Sequence, residues 1–428
     1  MTPPQEHVAS WYAATANAAP ERPVLEGDVD CDVCVVGAGF TGISAALHLA
    51  ERGLSVVVLE AARVGFGASG RNGGQIVNSY SRDMDVIEAK YGAETARALG
   101  DMAFEGNRII RERVAKYAID CDLRDGNLFA ACNRKQFEGL REHKAVWERY
   151  GYWELELLEG AGVKREVNSD RYVGALVDHG GGHLHPLNLV LGQATAVETL
   201  GGRIFEQSAV VEVIHGEPVT LRTALGRVSA ERVVMAGNAY LRGVLPEIEG
   251  KSMPCGTQII ATETLGEARA HALIPRGKAV EDGNYLLDYY RLTRDHRLLY
   301  GGGVNYGGDD PADITAVIRP KMLDTFPQLA DVKVDHAWSG TFLMTLNRLP
   351  QFGVINGSVY YAQGYSGHGV TATHLAGRLI AEVMHGQGER FDAFAGIPHL
   401  PFPGGRLLRV PLSALGAWYY ATRDRLGL

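Results

Sequence analysis

The feature that most constrains this chain is a glycine triplet, Gly37-x-Gly39-x-x-Gly42, placed between an apolar run and a helical one. Cys31 to Val36 reads as a short strand. Ile43 to Arg52 carries apolar residues at helical spacing, and Gly53 stops it. Leu54 to Leu59 is a second apolar strand ending on Glu60. Strand, helix and strand within about 30 residues make a βαβ unit on a parallel sheet. In that setting the triplet predicts a dinucleotide site. Gly37 permits the sharp turn, and Gly39 lets a pyrophosphate reach the N–H groups of the helix N-terminus. Gly42 lets helix and strand pack closely. Ala38, Phe40 and Thr41 belong to the same turn. Glu60, followed by Ala61, is placed to accept hydrogen bonds from both ribose hydroxyls, and its charge disfavours the 2′-phosphate of NADP.

The triplet does not distinguish NAD from FAD. A second strand–GxGxxG–helix is not found: Gly160-Ala161-Gly162 fails because Arg165 stands at the third glycine position. One such site plus glycine-rich segments far along the chain fits one long cofactor whose flavin ring reaches a second domain. The glycine count supports this, with 53 Gly against 17 Pro in 428 residues and no Gly-X-Y period.

Composition narrows the function classes. A net charge of −8 argues against nucleic acid as a main partner. No apolar run is long enough to predict a spanning helix. Met1 to Ala18 lacks a charged segment followed by an apolar one, so no secretion signal is expected. Five cysteines fit a reducing, cytoplasmic setting. Cys31 and Cys34 are expected on opposite faces of their strand, as inert core thiols or, alternatively, a redox pair. His179, His183 and His185 lack a metal-binding spacing, so no metal is expected.

Further along, residues 82–117 and 134–150 read as helices and 202–236 as short strands. Gln258 to Glu263, Tyr285 to Thr293 and Leu298 to Val304 read as antiparallel strands. Val359 to Ala362 is a strand running through Gln363 to Gly369 into a helix, Val370 to Met384. Trp11 and Tyr12 would pin a polar lead-in to the surface. In the tail, Leu407 to Leu428, Trp418, Tyr419, Tyr420 and several Arg suggest a helix. It either lies on a membrane surface or docks on its own domain or on a partner subunit.

The run Arg63 to Gly74, the lead-in Ser10-Trp11-Tyr12 and the late segment Gly364-Tyr365-Ser366-Gly367-His368-Gly369-Val370 resemble the FAD-dependent D-amino-acid oxidase superfamily over essentially the whole chain. The resemblance implies a Rossmann-like FAD domain, α/β, with a second, antiparallel-sheet substrate domain, α+β. The expected FAD segments are 1–80, 168–250 and 335–400. The expected substrate segments are 81–167 and 251–334, with 401–428 as a tail helix. Ser69, Gly70, Arg71, Asn72, Gly73, Gly74 and Gln75 would run along the pyrophosphate towards the flavin. Val210 or Val211 would meet the adenine, and Gly237 and Gly340 would lie on later cofactor segments. Gly367, His368, Gly369, Val370 and Thr371 would bring a helix N-terminus to the flavin N1–O2 edge, where reduced flavin carries negative charge. His368 acts there through its ring or only its backbone. Tyr365 is a candidate to face the ring.

The resemblance also implies oxidation of a primary amine, such as gamma-glutamylputrescine or a related γ-glutamylated polyamine. Hydride passes to flavin N5, oxygen or another acceptor takes the electrons, and aldehyde, ammonia and hydrogen peroxide result. Secondary amines such as sarcosine, or an FAD-binding subunit without turnover, are the alternatives. Orientation and a dry pocket are the protein's main contributions to such chemistry. Amino-acid oxidases of the superfamily clamp the substrate carboxylate with an Arg. Here Trp338-Ser339-Gly340-Thr341-Phe342-Leu343 puts Phe342 at that position, so a carboxylate would sit further out, on Arg348 or Arg291. Tyr285 and Tyr289, on one strand face, would line an amine tunnel or belong to the sheet core. Neither Phe342 to Asn347 nor Asn72 to Gln75 offers the Cys or His that relatives use for covalent flavin, so FAD is expected to be non-covalent.

Overall fold

The computed structural model describes residues 5–241, 243–307 and 310–426. Two sheets organise the chain. The first is built on the strand Gly27–Val36, which runs parallel to Val56–Leu59 on one side and to Gly226–Met235 on the other. Val359–Gln363 and Arg203–Phe205 extend it in parallel, and Gln351–Ile355 closes one edge antiparallel. All four residues of Val56–Leu59 are buried, three of them β-branched valines, as expected of a parallel strand covered on both faces.

The covering helix Phe40–Ala50 is buried along its whole length. It crosses the helix Gly369–Met384 so closely that a Cβ on Gly377 would strike Ala45 N at 2.5 Å. The Ser44 hydroxyl donates to His374 O at 3.0 Å across the crossing. The two helices that open at glycine turns are thereby locked as a pair.

The second sheet is mostly antiparallel. Its spine is Val334–Thr345, Ser252–Thr262, Leu298–Tyr306 and Tyr289–Leu292 in spatial order. Ala279–Asp282 follows and pairs in parallel with Arg124–Ala131, which meets Gly174–His183. Gly174–His183 and Val334–Thr345 fall inside segments expected to build the cofactor domain, yet both pair in this second sheet. The run Asp178 to His185 reads in the sequence as a glycine-rich loop near the cofactor domain; most of it is instead the end of the strand Gly174–His183, because distant partners decide strand and sheet membership.

Three expectations are corrected. Trp11 and Tyr12 are 3% and 0% exposed. They anchor the lead-in in the core, with Tyr12 edge-on to Trp338 at 5.3 Å between ring centroids, rather than at the surface. Cys31 and Cys34 do not face opposite ways. Val29, Cys31, Cys34 and Val36 join one apolar cluster, while Val33 and Val35 join another. The alternation slips at Asp32, whose backbone N–H bonds the Ser55 hydroxyl at 2.8 Å. Third, the strand expected from Tyr285 begins only at Tyr289.

The tail forms the helix Gly405–Leu426, and Val410 packs on the cluster of Met253, Cys255, Met344 and Phe402. The last two tail residues lie outside the described ones. No helix among the described residues is long and apolar enough to cross a membrane.

Candidate active site

A cavity of ≈ 700 Å³ lies where the glycine turns of the first sheet meet the second, within the ~300–1,000 Å³ range of cofactor and ligand pockets. From the first sheet its wall takes Gly37, Gly39, Phe40, Thr41, Glu60, Ala61 and Gly237. The 65–75 loop adds Ser69, Arg71, Asn72, Gly73 and Gln75, and the late turn adds Tyr365, Gly367, His368, Gly369 and Val370. The second sheet contributes Gly340, Phe342, Glu281 and Tyr289, and the connections beside it add Tyr285 and Arg348. Segments more than 300 residues apart in the chain (Gly37 and Gly367, for example) thus face one space.

Each glycine turn has a local cause. Gly37 sits at φ +100°, and a Cβ there would come within 2.9 Å of Gly237 Cα, so two strand ends approach as bare backbone. Gly39 precedes the helix at Phe40, and its missing side chain leaves room for Ser69, whose hydroxyl accepts from Phe40 N at 2.8 Å. Glu60 is held by two backbone donors, Ala38 N at 2.7 Å and Ala62 N at 2.9 Å. Burial raises its carboxyl despite these bonds. The late turn uses left-handed backbone at Gly364, Ser366 and Gly367. Ser366 is tied to the second sheet, its N–H donating to Leu343 O at 3.1 Å and its hydroxyl accepting from Thr345 N at 3.1 Å. The Tyr365 hydroxyl meets the Thr41 hydroxyl at 2.8 Å and so bridges the two helix-opening turns. Burial pushes its phenol well above the ordinary range.

Other expected residues stand behind this wall. Ala38, Gly42, Gly70 and Gly74 do not line the cavity; they allow close packing of the turn and loop. Thr371 also lies behind it, its hydroxyl bonded to Val77 O at 2.9 Å. Val211 is 64% exposed and points away from the cavity, which Val210 lines instead. The Asn72 side chain braces its own loop, bonding Ala68 O, Ser69 O and Gly74 N.

Of the two arginines considered for a substrate carboxylate, Arg291 is corrected to a structural role. It is fully buried and donates to Gly73 O, Leu184 O, Leu292 O and the Tyr12 hydroxyl. Arg348 lines the cavity, with its guanidinium 3.3 Å from the Tyr285 hydroxyl. Tyr285 and Tyr289 both reach the cavity, although Tyr285 comes from the loop. Tyr290 and Tyr300 stack behind them in the core, 5.2 Å apart. His368 Nδ1 is buried without a partner, and burial holds its ring at about 4, so the imidazole is neutral. His183 bonds Gly277 O, and His185 caps the helix Pro186–Thr199. No group of three metal-ligating side chains occurs among the described residues.

Little in the sequence singles out Glu281. Its run, Val280-Glu281-Asp282, has no motif; a charged residue within an apolar strand was the only signal.

Comparison with known proteins decides the family. Residues 32–383 match the family described as FAD dependent oxidoreductase (DAO). The chain belongs to that family. It is 62% identical over 424 residues to the gamma-glutamylputrescine oxidoreductase of Escherichia coli, covering 99% of this chain and 100% of that one. It is 44% identical to a Haemophilus influenzae protein named "Probable oxidoreductase OrdL", over 98% of both. The fold matches glycine oxidase from Geobacillus kaustophilus with a TM-score of 0.72, 21% identity and coverage of 84% of this chain and 95% of that one.

The protein is therefore an FAD-dependent oxidoreductase, and the cavity fits the cofactor. Gly37, Gly39, Gly237, Gly367 and Gly369 line the cavity with bare backbone, and the helices Phe40–Ala50 and Gly369–Met384 open onto it. N–H groups in a helix's first turn lack intrahelical acceptors and attract negative charge.

Proposed function

We propose that this oxidoreductase acts on a γ-glutamylated primary amine, gamma-glutamylputrescine or a close analogue, with FAD bound non-covalently. The observation that carries the reading is the 62% identity, over the full length, to a protein of that activity. The cavity's chemistry supports it. Phe342 supplies no charge where an amino-acid oxidase would clamp a carboxylate, while Arg348 lies in the same wall. A γ-glutamyl substrate carries its carboxylate several bonds from the reacting carbon, which suits Arg348. Tyr285, Leu287, Tyr289 and Phe342 give an apolar wall for the methylene chain between.

FAD, when bound, supplies the acceptor for the hydride that leaves the carbon bearing the amine. The chain's own residues orient the substrate and keep the site dry. The helix opening at Gly369 points its positive end at the cavity, where developing negative charge is stabilised. Neutral His368 does not compete for that role with a charge of its own. Water then hydrolyses the imine to aldehyde and ammonia, and oxygen as acceptor gives hydrogen peroxide.

The test is turnover on a panel of gamma-glutamylputrescine, putrescine and sarcosine with peroxide detection. The reading expects gamma-glutamylputrescine to have the highest kcat/KM. Preference for sarcosine, or no turnover of any, contradicts it.

A further inference from the structure

Glu281 lies on the strand Ala279–Asp282, opposite Tyr289 on one side and Phe129 on the other. It is 8% exposed and belongs to the wall of the active-site cavity. The neighbouring wall residue Gln75 is tied to the same strand, its amide donating to Val280 O at 3.0 Å. Tyr289 packs against Gly73 of the cofactor loop so closely that a Cβ there would meet its ring at 2.8 Å. Glu281 therefore stands beside the point where the expected cofactor loop meets the substrate wall.

Its surroundings do not neutralise it. Asn127 Nδ2 donates to its carboxylate at 3.3 Å, and Asn127 Oδ1 is itself buried without a partner. Asp282 on its own strand and Asp178 on Gly174–His183 add like charge, and across the sheet stands the phenol of Tyr289. Asp282 and Asp178 have partners of their own, Arg171 for the first and Tyr152 with Asn78 for the second. Among the described residues Glu281 enters no ion pair. Burial, reinforced by Asp282 and Asp178, pushes its carboxyl up to about 7. An uncompensated buried carboxylate is costly to a fold, and this one lines the cavity in which the proposed amine would bind.

We infer that Glu281 binds the ammonium group of the amine substrate and acts as the general base that deprotonates it. The inference rests on the amine reading above and deepens it. An alkyl amine is almost wholly protonated at neutral pH, and an ammonium has no lone pair to support loss of hydride from its carbon. In the step assigned here one N–H bond of the ammonium breaks and an O–H bond forms on Glu281. The amine keeps the electron pair, and nothing is oxidised. The proton leaves to solvent when product is released. A carboxyl titrating near neutrality suits this transfer.

The test compares wild type, Glu281→Gln and Glu281→Asp as holoenzymes. The kcat/KM of wild type for gamma-glutamylputrescine should rise with pH through an acid limb near neutrality. Glu281→Gln should lose about 100-fold or more at pH 7. It should also lose that limb, its rate climbing instead towards the amine's own pKa. Glu281→Asp should restore part of the rate and the limb. A Glu281→Gln profile parallel to wild type overturns the inference.

A second measurement is independent of which amine is oxidised. Butylguanidinium, a permanent cation, should raise the Tm of wild-type holoenzyme and leave that of Glu281→Gln unchanged. At pH 8 the unliganded Glu281→Gln should melt above wild type, because a raised carboxyl costs stability as pH rises through its folded value. Equal cation shifts in the two proteins overturn the inference. Absence of turnover with gamma-glutamylputrescine while the cation discriminates overturns only the substrate reading.

Discussion

At the scale of single residues, two arginines with equal standing in the sequence have opposite fates. Arg291 lies on a strand whose inward face closes over the 73–74 loop, and its guanidinium is spent on backbone carbonyls. Replacing it with Met strands Leu184 O in the core and takes the donor from Gly73 O at the cavity wall. The expected loss is on the order of 3 kcal/mol or more in denaturant unfolding; an unchanged midpoint contradicts the structural role. Arg348 faces the cavity. Arg348→Ala should raise KM for gamma-glutamylputrescine by roughly 10- to 100-fold, the worth of a charge-assisted hydrogen bond, with kcat nearly kept. Putrescine, lacking a carboxylate, should show no such change. Equal effects on both substrates contradict the assignment. The sequence could not separate these arginines, because which one is enclosed depends on strands and loops that meet only in three dimensions. Glu281 was hidden for the same reason.

At the scale of elements, the glycine turns carry the most legible information in the chain. Gly37 and Gly42 are required by local sterics, since a positive φ at the first and a close backbone approach at both admit little else, while Gly39 leaves room for the Ser69 side chain. Spacing along the chain reveals them. Gly37→Ala would place a methyl against Gly237 at a strained φ. The purified variant should carry well under half the wild-type FAD, read as the ratio of flavin to protein absorbance. Full occupancy contradicts the role given to that turn. The strand Gly174–His183 shows where legibility ends. Its glycine run, Gly180 to Gly182, reads as a loop, because the partners that recruit it into a strand lie at 124–131 and 155–159. The exposed Val211 and the buried Val210 differ by one position, and a one-residue step is what a period of two cannot resolve without the paired strand.

At the scale of the whole molecule, buried neutral histidines set the acid limit of stability. Burial lowers His183 and His185 to about 3 and His368 and His374 to about 4. The unfolded chain binds more protons at these sites as pH falls through the ordinary histidine range. Stability is therefore expected to be full at pH 8 and to decline below about pH 6.5. The raised carboxyls of Glu60, Asp178, Glu281 and Asp282 work in the opposite sense, while His7, His48 and His399, also lowered by burial, add to the histidine side. The Tm of the holoenzyme should fall steadily between pH 7 and pH 5; a flat profile contradicts the burial of these rings.

The same scale holds the central claim, that one cavity between two sheets brings FAD and a γ-glutamylated amine together. Anaerobic titration of the yellow holoenzyme with gamma-glutamylputrescine tests it most directly. The account predicts bleaching of the flavin band by one equivalent of amine, recovery on admitting air, and release of the yellow cofactor into the supernatant on acid precipitation. A flavin that stays oxidised under excess gamma-glutamylputrescine would contradict it.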